Sequence, residues 1–149
     1  MNPQLAPNTL LVVDDNPDDF FAVERCLQEA GIGNPLHHCE SAPEALALLA
    51  QAEAGGGLPA LVLLDINMPG MKGTEMLERL RASETLASLP VIMLTSSNDD
   101  RDVLAAFQGR AHSYLQKPLE FPALLQALQR IRTHRIVLGL QPRPEGARR

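Results

Sequence analysis

Five side chains able to take part in chemistry recur in one kind of place in this 149-residue sequence, just beyond a short apolar run. Asp14 and Asp15 follow Thr9-Leu10-Leu11-Val12-Val13, and Asp65 follows Leu61-Val62-Leu63-Leu64. Thr95 follows Pro90-Val91-Ile92-Met93-Leu94, and Lys117 lies just past Ser113-Tyr114-Leu115. If those runs are parallel strands of one sheet, all five residues fall at its carboxyl edge, where open α/β sheets bind ligands. Three carboxylates converging there cannot all stay ionised without a counter-charge. A hard divalent cation supplies one, and Mg²⁺, small and reluctant to lose its waters, needs only one or two protein carboxylates. Lys117 and the Thr95 hydroxyl then serve as donors to phosphoryl oxygens. The set fits phosphoryl transfer onto a nucleophilic Asp65.

Each residue taken alone has an ordinary structural explanation. An Asp after a strand commonly caps a helix. Asp18 and Asp19, after Pro17, read as first-turn acids favoured by the helix dipole. Tyr114 reads as a core aromatic, Thr95 as a strand-end hydroxyl and Lys117 as a solvated charge. Joint placement at one sheet edge overturns these explanations for Asp14, Asp15, Asp65, Thr95 and Lys117. It does nothing for His37-His38-Cys39, since adjacent side chains of a strand point to opposite faces and cannot chelate together. Nor is there a glycine-rich loop ending in Gly-Lys-Ser/Thr, the mark of one common nucleotide site.

The elements that would position these residues are legible from periodicity. The continuous apolar runs match strands buried on both faces. Between them lie amphipathic stretches. Phe20, Val23, Leu27 and Ala30 form a helical stripe that stops at Gly31. Leu36 to Cys39 is a weaker strand. Ser41 and Glu44 form a capping box opening a helix through Ala45 to Ala54, ended by Gly55-Gly56-Gly57. Further helices are expected over Thr74 to Arg81 and from about Asp99 to Phe107. A last helix carries Phe121, Leu124, Leu125, Leu128 and Ile131 on one face. Alternating strand and helix predicts an α/β fold with a parallel sheet.

Composition bounds the answer. A chain of 149 residues, 45% hydrophobic, can bury roughly two-thirds of its unfolded surface and folds as one domain without a staple. With aromatics at 3%, Leu, Val and Ala must build the core. Cys26 and Cys39 are too few for a disulfide framework and suit a reducing cytoplasm. No apolar run approaches the length of a membrane span, and residues 1–8 do not resemble a signal peptide. The net charge of −5 argues against a general nucleic-acid binder. Its distribution is uneven: residues 1–71 hold ten carboxylates and one base, Arg25, while residues 72–149 hold twelve bases and eight acids. Four of those carboxylates, Asp14, Asp15, Asp18 and Asp19, crowd into six positions, which again calls for a cation or a helix N-terminus.

The order Val-Val-Asp-Asp (12–15), Leu-Leu-Asp-Ile-Asn-Met-Pro-Gly-Met-Lys-Gly (63–73), Met-Leu-Thr-Ser (93–96) and Tyr-Leu-Gln-Lys-Pro (114–118) resembles the receiver domain of two-component response regulators. The resemblance covers about residues 9 to 133. It implies a flavodoxin-like, doubly wound sheet of five parallel strands in the order 2-1-3-4-5 with five helices. It further implies a phosphoacceptor, Asp65, that receives its phosphoryl group from the phosphohistidine of a sensor histidine kinase with Mg²⁺ as cofactor. By position, Asp15 and the Asn67 main-chain carbonyl would bind the metal beside Asp65, and Asp14 would act largely through a metal-bound water. Lys117 would contact the phosphoryl oxygens, and Thr95 with Tyr114 would form the switch pair. The Lys117–Pro118 bond is often cis in such domains. A receiver of this kind assists its own phosphorylation and dephosphorylation without being a turnover enzyme.

Two other functions share features of this sequence. A phosphatase of the haloacid-dehalogenase type also uses an Asp nucleophile and Mg²⁺, but needs a carboxylic acid two residues later, where this chain has Asn67. A phosphorylation-independent receiver-like scaffold or binding module is opposed by the intact set of five residues. Since nothing resembling an output domain follows residue 133, the sequence reads as a stand-alone receiver that signals through a partner or through a histidine phosphotransfer protein. Asp-Asn-Pro-Asp-Asp (15–19) and Leu-Thr-Ser-Ser-Asn-Asp-Asp-Arg-Asp-Val (94–103) are similar to the small regulators that serve bacterial phytochrome kinases. Residues 1–8 read as a lead, and residues 134–149 as a C-terminal extension. In that extension Ile136-Val137-Leu138-Gly139-Leu140 has no place in a completed receiver core, which makes it a candidate homodimer arm.

Overall fold

The computed structural model describes residues 5–6, 8–55, 57–96, 113–117 and 119–130. Its elements are β1 (Leu10–Val13), α1 (Pro17–Glu29), β2 (Leu36–Cys39), α2 (Ala42–Gly55), β3 (Leu61–Asp65), α3 (Gly73–Ala82), β4 (Val91–Thr95), β5 (Ser113–Gln116) and α4 (Phe121–Arg130). The strands form one parallel sheet in the order β2-β1-β3-β4-β5, as the family resemblance implies. Four helices are present among the described residues. The expected helix at 99–107, the Lys117–Pro118 bond and the extension at 134–149 lie outside them.

Every residue of β1, β3 and β4 is buried, which is why these strands read as unbroken apolar runs. Alternate side chains serve two separate cores. Leu11, Val13, Leu64 and Met93 pack with Leu49 of α2 and Leu77 of α3. Leu10, Val12, Leu63 and Leu94 pack with Leu27 of α1 and Leu124 of α4. The sheet thus carries α2 and α3 on one face and α1 and α4 on the other. Among the described residues no helix is long and apolar enough to cross a membrane.

Local chemistry fixes the ends of the helices. Asn16 caps α1 by accepting the Asp18 N–H at 2.9 Å, and Pro17, whose missing N–H costs nothing there, takes the first turn. The helix closes at Gly31, whose φ is +75°: its N–H reaches the Gln28 carbonyl and the Ile32 N–H reaches that of Leu27. This paired closure needs a left-handed residue, and glycine enters that region without a Cβ penalty. At α2 the Ser41 hydroxyl accepts the Glu44 N–H at 3.2 Å. The reciprocal bond goes from the Glu40 N–H to Glu44 Oε1, one residue earlier than the usual box.

Neighbouring β1 and β3 lead to opposite sides of the sheet, β1 to its edge neighbour β2 and β3 onward to β4. Strand order reverses between them, so their carboxyl ends open the crevice where such sheets bind ligands. Asp14 immediately follows β1, and Asp65 is the last residue of β3.

Candidate functional site

The crevice gathers the expected acids. Asp14, Asp15 and Asp65 each offer an oxygen within 4.8 Å of the others. Their surroundings differ sharply. Asp14 is fully buried, Asp65 is 4% exposed and Asp15 lies open to solvent. Asp14 is held on all sides: its N–H donates to the Cys39 carbonyl at 3.0 Å and its Oδ1 accepts the Asn16 N–H at 2.9 Å. Its carbonyl pairs with His38 Nε2 at 2.8 Å. The His38 ring lies parallel to that of Phe20, with centroids 4.4 Å apart. His38 therefore braces the end of β1 from the neighbouring strand.

Lys117 closes the crevice from the far end of the chain. Its N–H donates to the Thr95 carbonyl at 2.8 Å, tying the start of the following loop to β4. Its ammonium reaches Asp14 Oδ2 at 2.8 Å, Asp19 Oδ2 at 2.7 Å and Asp65 Oδ1 at 3.3 Å. Burial alone would lower the lysine pKa. Hydrogen bonds to Asp14 and Asp19 and the attraction of Asp65 outweigh that, holding it above the ordinary lysine range. These carboxylates thus favour the charged form of Lys117.

Asp65 feels the opposite pull. Burial pushes its carboxyl up to about 6 and the nearby Asp14 charge adds to this, while Lys117 and the Asn67 N–H at 3.4 Å restrain the rise. A desolvated carboxylate beside a fixed cation is a suitable nucleophile, since its oxygen is not sheathed in water. Thr95, also fully buried, ends the adjacent strand β4. Tyr114 sits on β5 opposite Met93 and is 50% exposed, so it is not the core aromatic its type suggests.

The cluster also fits the expected cation. All of its acidic donors are hard oxygens, and the solvent-facing Asp15 adjoins two carboxylates already desolvated, a setting suited to Mg²⁺. Asp14, with both oxygens engaged, is the least free to serve as a direct ligand.

Sequence reasoning missed two residues. Asp19 is not a plain first-turn acid: it bonds Lys117 across 98 positions of chain. No periodicity announces such a pair, although the crowding of four acids into residues 14–19 was its trace. The other is Gly73, at the start of α3. Its N–H donates to the Ile66 carbonyl at 2.9 Å, and a Cβ on it would collide with the Asp65 carbonyl. Only glycine permits α3 to begin this close to the end of β3.

Comparison with known proteins agrees with this geometry. Residues 10–129 match the response regulator receiver domain family. The chain is 32% identical over 139 residues to the probable methanogenesis regulatory protein FilR2 of Methanothrix harundinacea (strain 6Ac), spanning 93% of this chain and 90% of that one. It is 30% identical over 127 residues to the response regulator Rcp1 of Synechocystis sp. (strain ATCC 27184 / PCC 6803 / Kazusa), over 84% of this chain and 86% of Rcp1. The solved Mn²⁺-bound form of Rcp1 superposes with a TM-score of 0.67 at 29% identity, over 92% of this chain and all (100%) of that one. The bacteriophytochrome response regulator AtBRR superposes with a TM-score of 0.75 at 28% identity, over 96% of this chain and 100% of its own.

Proposed function

The chain belongs to the response regulator receiver family, and from that premise we propose that Asp65 accepts a phosphoryl group from the phosphohistidine of a sensor histidine kinase. The observation that carries the proposal is the pairing of a nearly buried Asp65 with the Lys117 ammonium 3.3 Å away, beside Asp14 and Asp15. In the transfer, an Asp65 carboxylate oxygen forms a bond to phosphorus as the phosphorus–nitrogen bond of the donor breaks. The electron pair returns to the imidazole, which takes up a proton. Lys117 stabilises charge on the phosphoryl oxygens, and the rigid end of β3 presents the attacking oxygen. Asp15, Asp65 and the Asn67 main-chain carbonyl would hold Mg²⁺, with Asp14 acting through water. When bound, the ion neutralises charge spread over the phosphoryl oxygens. Loss of the group by hydrolysis resets the domain.

The direct test is labelling by a small phosphodonor such as acetyl phosphate, followed by intact-mass analysis. The expected result is a single added phosphoryl group that requires Mg²⁺, disappears in Asp65→Asn and is absent with EDTA. A wild-type chain that takes no label under any of these conditions would instead be a phosphorylation-independent scaffold.

Signalling then follows a shift in population between two arrangements, of which the phosphorylated chain favours one. Thr95 and Tyr114 are the pair through which we read that shift: the hydroxyl turns to the phosphoryl group and the half-exposed tyrosine moves inward. The donor we favour is a bacteriophytochrome-type kinase, supported by the likeness to AtBRR and by the residues at 15–19 and 94–103. Onward relay to a histidine phosphotransfer protein is the second route out of Asp65. Such roles belong to the cytoplasm, and we read the chain as a cytoplasmic protein. Residues 134–149 would pair two copies through Ile136, Val137, Leu138 and Leu140. Sedimentation of the full chain against one ending at Thr133 checks this, since only the full chain should be dimeric.

A further inference from the structure

The Lys117 ammonium, which carries three hydrogens, lies within ion-pair distance of three carboxylates: Asp19 at 2.7 Å, Asp14 at 2.8 Å and Asp65 at 3.3 Å. Two of its hydrogens are engaged in the short bonds to Asp14 and Asp19, so only the hydrogen nearest Asp65 can reach a phosphoryl oxygen there without breaking one. For Lys117 to give a phosphoryl group on Asp65 more than that one hydrogen, it must release Asp14 or Asp19. The candidates do not part with equal ease. The Asp14 side chain is 0% exposed, so abandoning it would strand a buried charge. Asp65 carries the incoming group itself. The Asp19 side chain is 33% exposed, and water can take over its solvation once the lysine leaves.

We propose that Asp19 is the exchange partner of Lys117, holding the ammonium while Asp65 is unmodified and giving it up to the phosphoryl oxygens afterwards. The inference rests on the phosphoacceptor reading of Asp65. Asp19 touches no reacting atom, so it is a positioning residue, and its location in the first turn of α1 ties that helix to the state of Asp65. The sign of its effect follows. A bond present only in the unmodified state opposes modification, and a carboxylate next to a dianionic phosphoryl group opposes it again. Removing Asp19 therefore favours the modified state. A residue that merely propped up Lys117 would act the other way.

The experiment measures the affinity of beryllofluoride, a phosphoryl mimic, in the presence of Mg²⁺ for wild type, Asp19→Asn and Asp18→Asn. Asp18 is the apt control, being an exposed acid in the same turn that loses the same charge, with no bond to Lys117 among those of its ammonium. Asp19→Asn is expected to bind the mimic about two- to fivefold more tightly, the range for a partly exposed ion pair. Asp18→Asn should change by less than about twofold. Equal or weaker binding by Asp19→Asn overturns the exchange, and so does an equal gain in both variants, which would mark a general charge effect. A crystal structure of the wild-type adduct gives a second readout: Asp19 should stand beyond about 4 Å from Lys117, and a retained contact overturns the proposal. Should wild type bind no beryllofluoride, the phosphoacceptor reading of Asp65 falls. Binding by wild type without the gain in Asp19→Asn sinks the exchange alone.

Discussion

The carbonyl of Asp65 occupies the place where a Cβ on Gly73 would stand. The first turn of α3 is thereby pressed against the last residue of β3, and the Gly73 N–H to Ile66 carbonyl bond at 2.9 Å fastens it there. Strand β3 ends against a fixed support, so the direction in which Asp65 leaves the sheet is set by backbone packing.

Gly73→Ala should therefore move the end of β3 or detach the start of α3. Overpacking of this kind costs about 1–3 kcal/mol, and more where the neighbour is backbone that cannot rotate away. Urea unfolding should show the loss of stability. Labelling of Asp65 should fall with it even at temperatures where the variant stays folded, because the carboxylate is displaced. Labelling at the wild-type rate would show that the contact does not steer the nucleophile.

Burial of Asp65 leaves a signature in the dependence of stability on pH. Its folded-state pKa of about 6 lies above the unfolded value of 3.8, so the folded state binds the proton more tightly. The favourable contribution of the protonated carboxyl is complete below about pH 4 and is lost as pH rises through about 6. Without metal, Asp65→Asn escapes this loss and should exceed wild type in stability by about 2 kcal/mol at pH 7, with the gap closing near pH 4. Denaturant melts in EDTA at the two pH values check it. A variant no more stable than wild type at pH 7 would contradict the assignment.

Much of this was legible in the sequence, and the reason is periodicity. Strands buried on both faces have to be apolar throughout, which exposes β1, β3 and β4, and each ends at a polar residue that marks the sheet edge. Gly31 and the Ser41–Glu44 pair announce helix ends by local chemistry. What stayed hidden has no local signal. The bond from Lys117 to Asp19 joins residues 98 apart, and the need for glycine at 73 comes from a strand that ended eight positions earlier. Tyr114 is of a residue type that favours cores, yet β5 is the sheet edge and leaves it half-exposed.

Lys117 is the counter-charge for two buried acids, and its loss should be severe. Lys117→Met leaves Asp14 and Asp65 close together with no cation among the described residues bonded to either side chain. Breaking a buried pair from one side costs about 3–5 kcal/mol. Mg²⁺ can offset part of that repulsion, so adding it should raise the melting temperature of Lys117→Met by more than that of wild type. Calorimetry with Mg²⁺ and with EDTA gives the comparison. An equal shift in both proteins would mean that lysine and metal do not share the same carboxylates.

The final prediction separates receiving the signal from passing it on. Thr95 is fully buried at the end of β4, while Tyr114, on the neighbouring strand, is half-exposed in the unphosphorylated chain. In the proposed switch, Tyr114 would move inward into room that the Thr95 side chain would yield as its hydroxyl turns toward a phosphoryl group on Asp65. Thr95→Ala keeps the nucleophile, the lysine and the acids, so labelling of Asp65 should persist within a few-fold. What it lacks is the hydroxyl that lets phosphate prefer one arrangement over the other, and without a differential interaction there is no shift in population. Phosphorylation should then leave the environment of Tyr114 unchanged, and as the only tyrosine in a chain without tryptophan it can be followed directly by fluorescence. Wild type should show a change on phosphorylation and Thr95→Ala none. The same change in both proteins would remove Thr95 from the path.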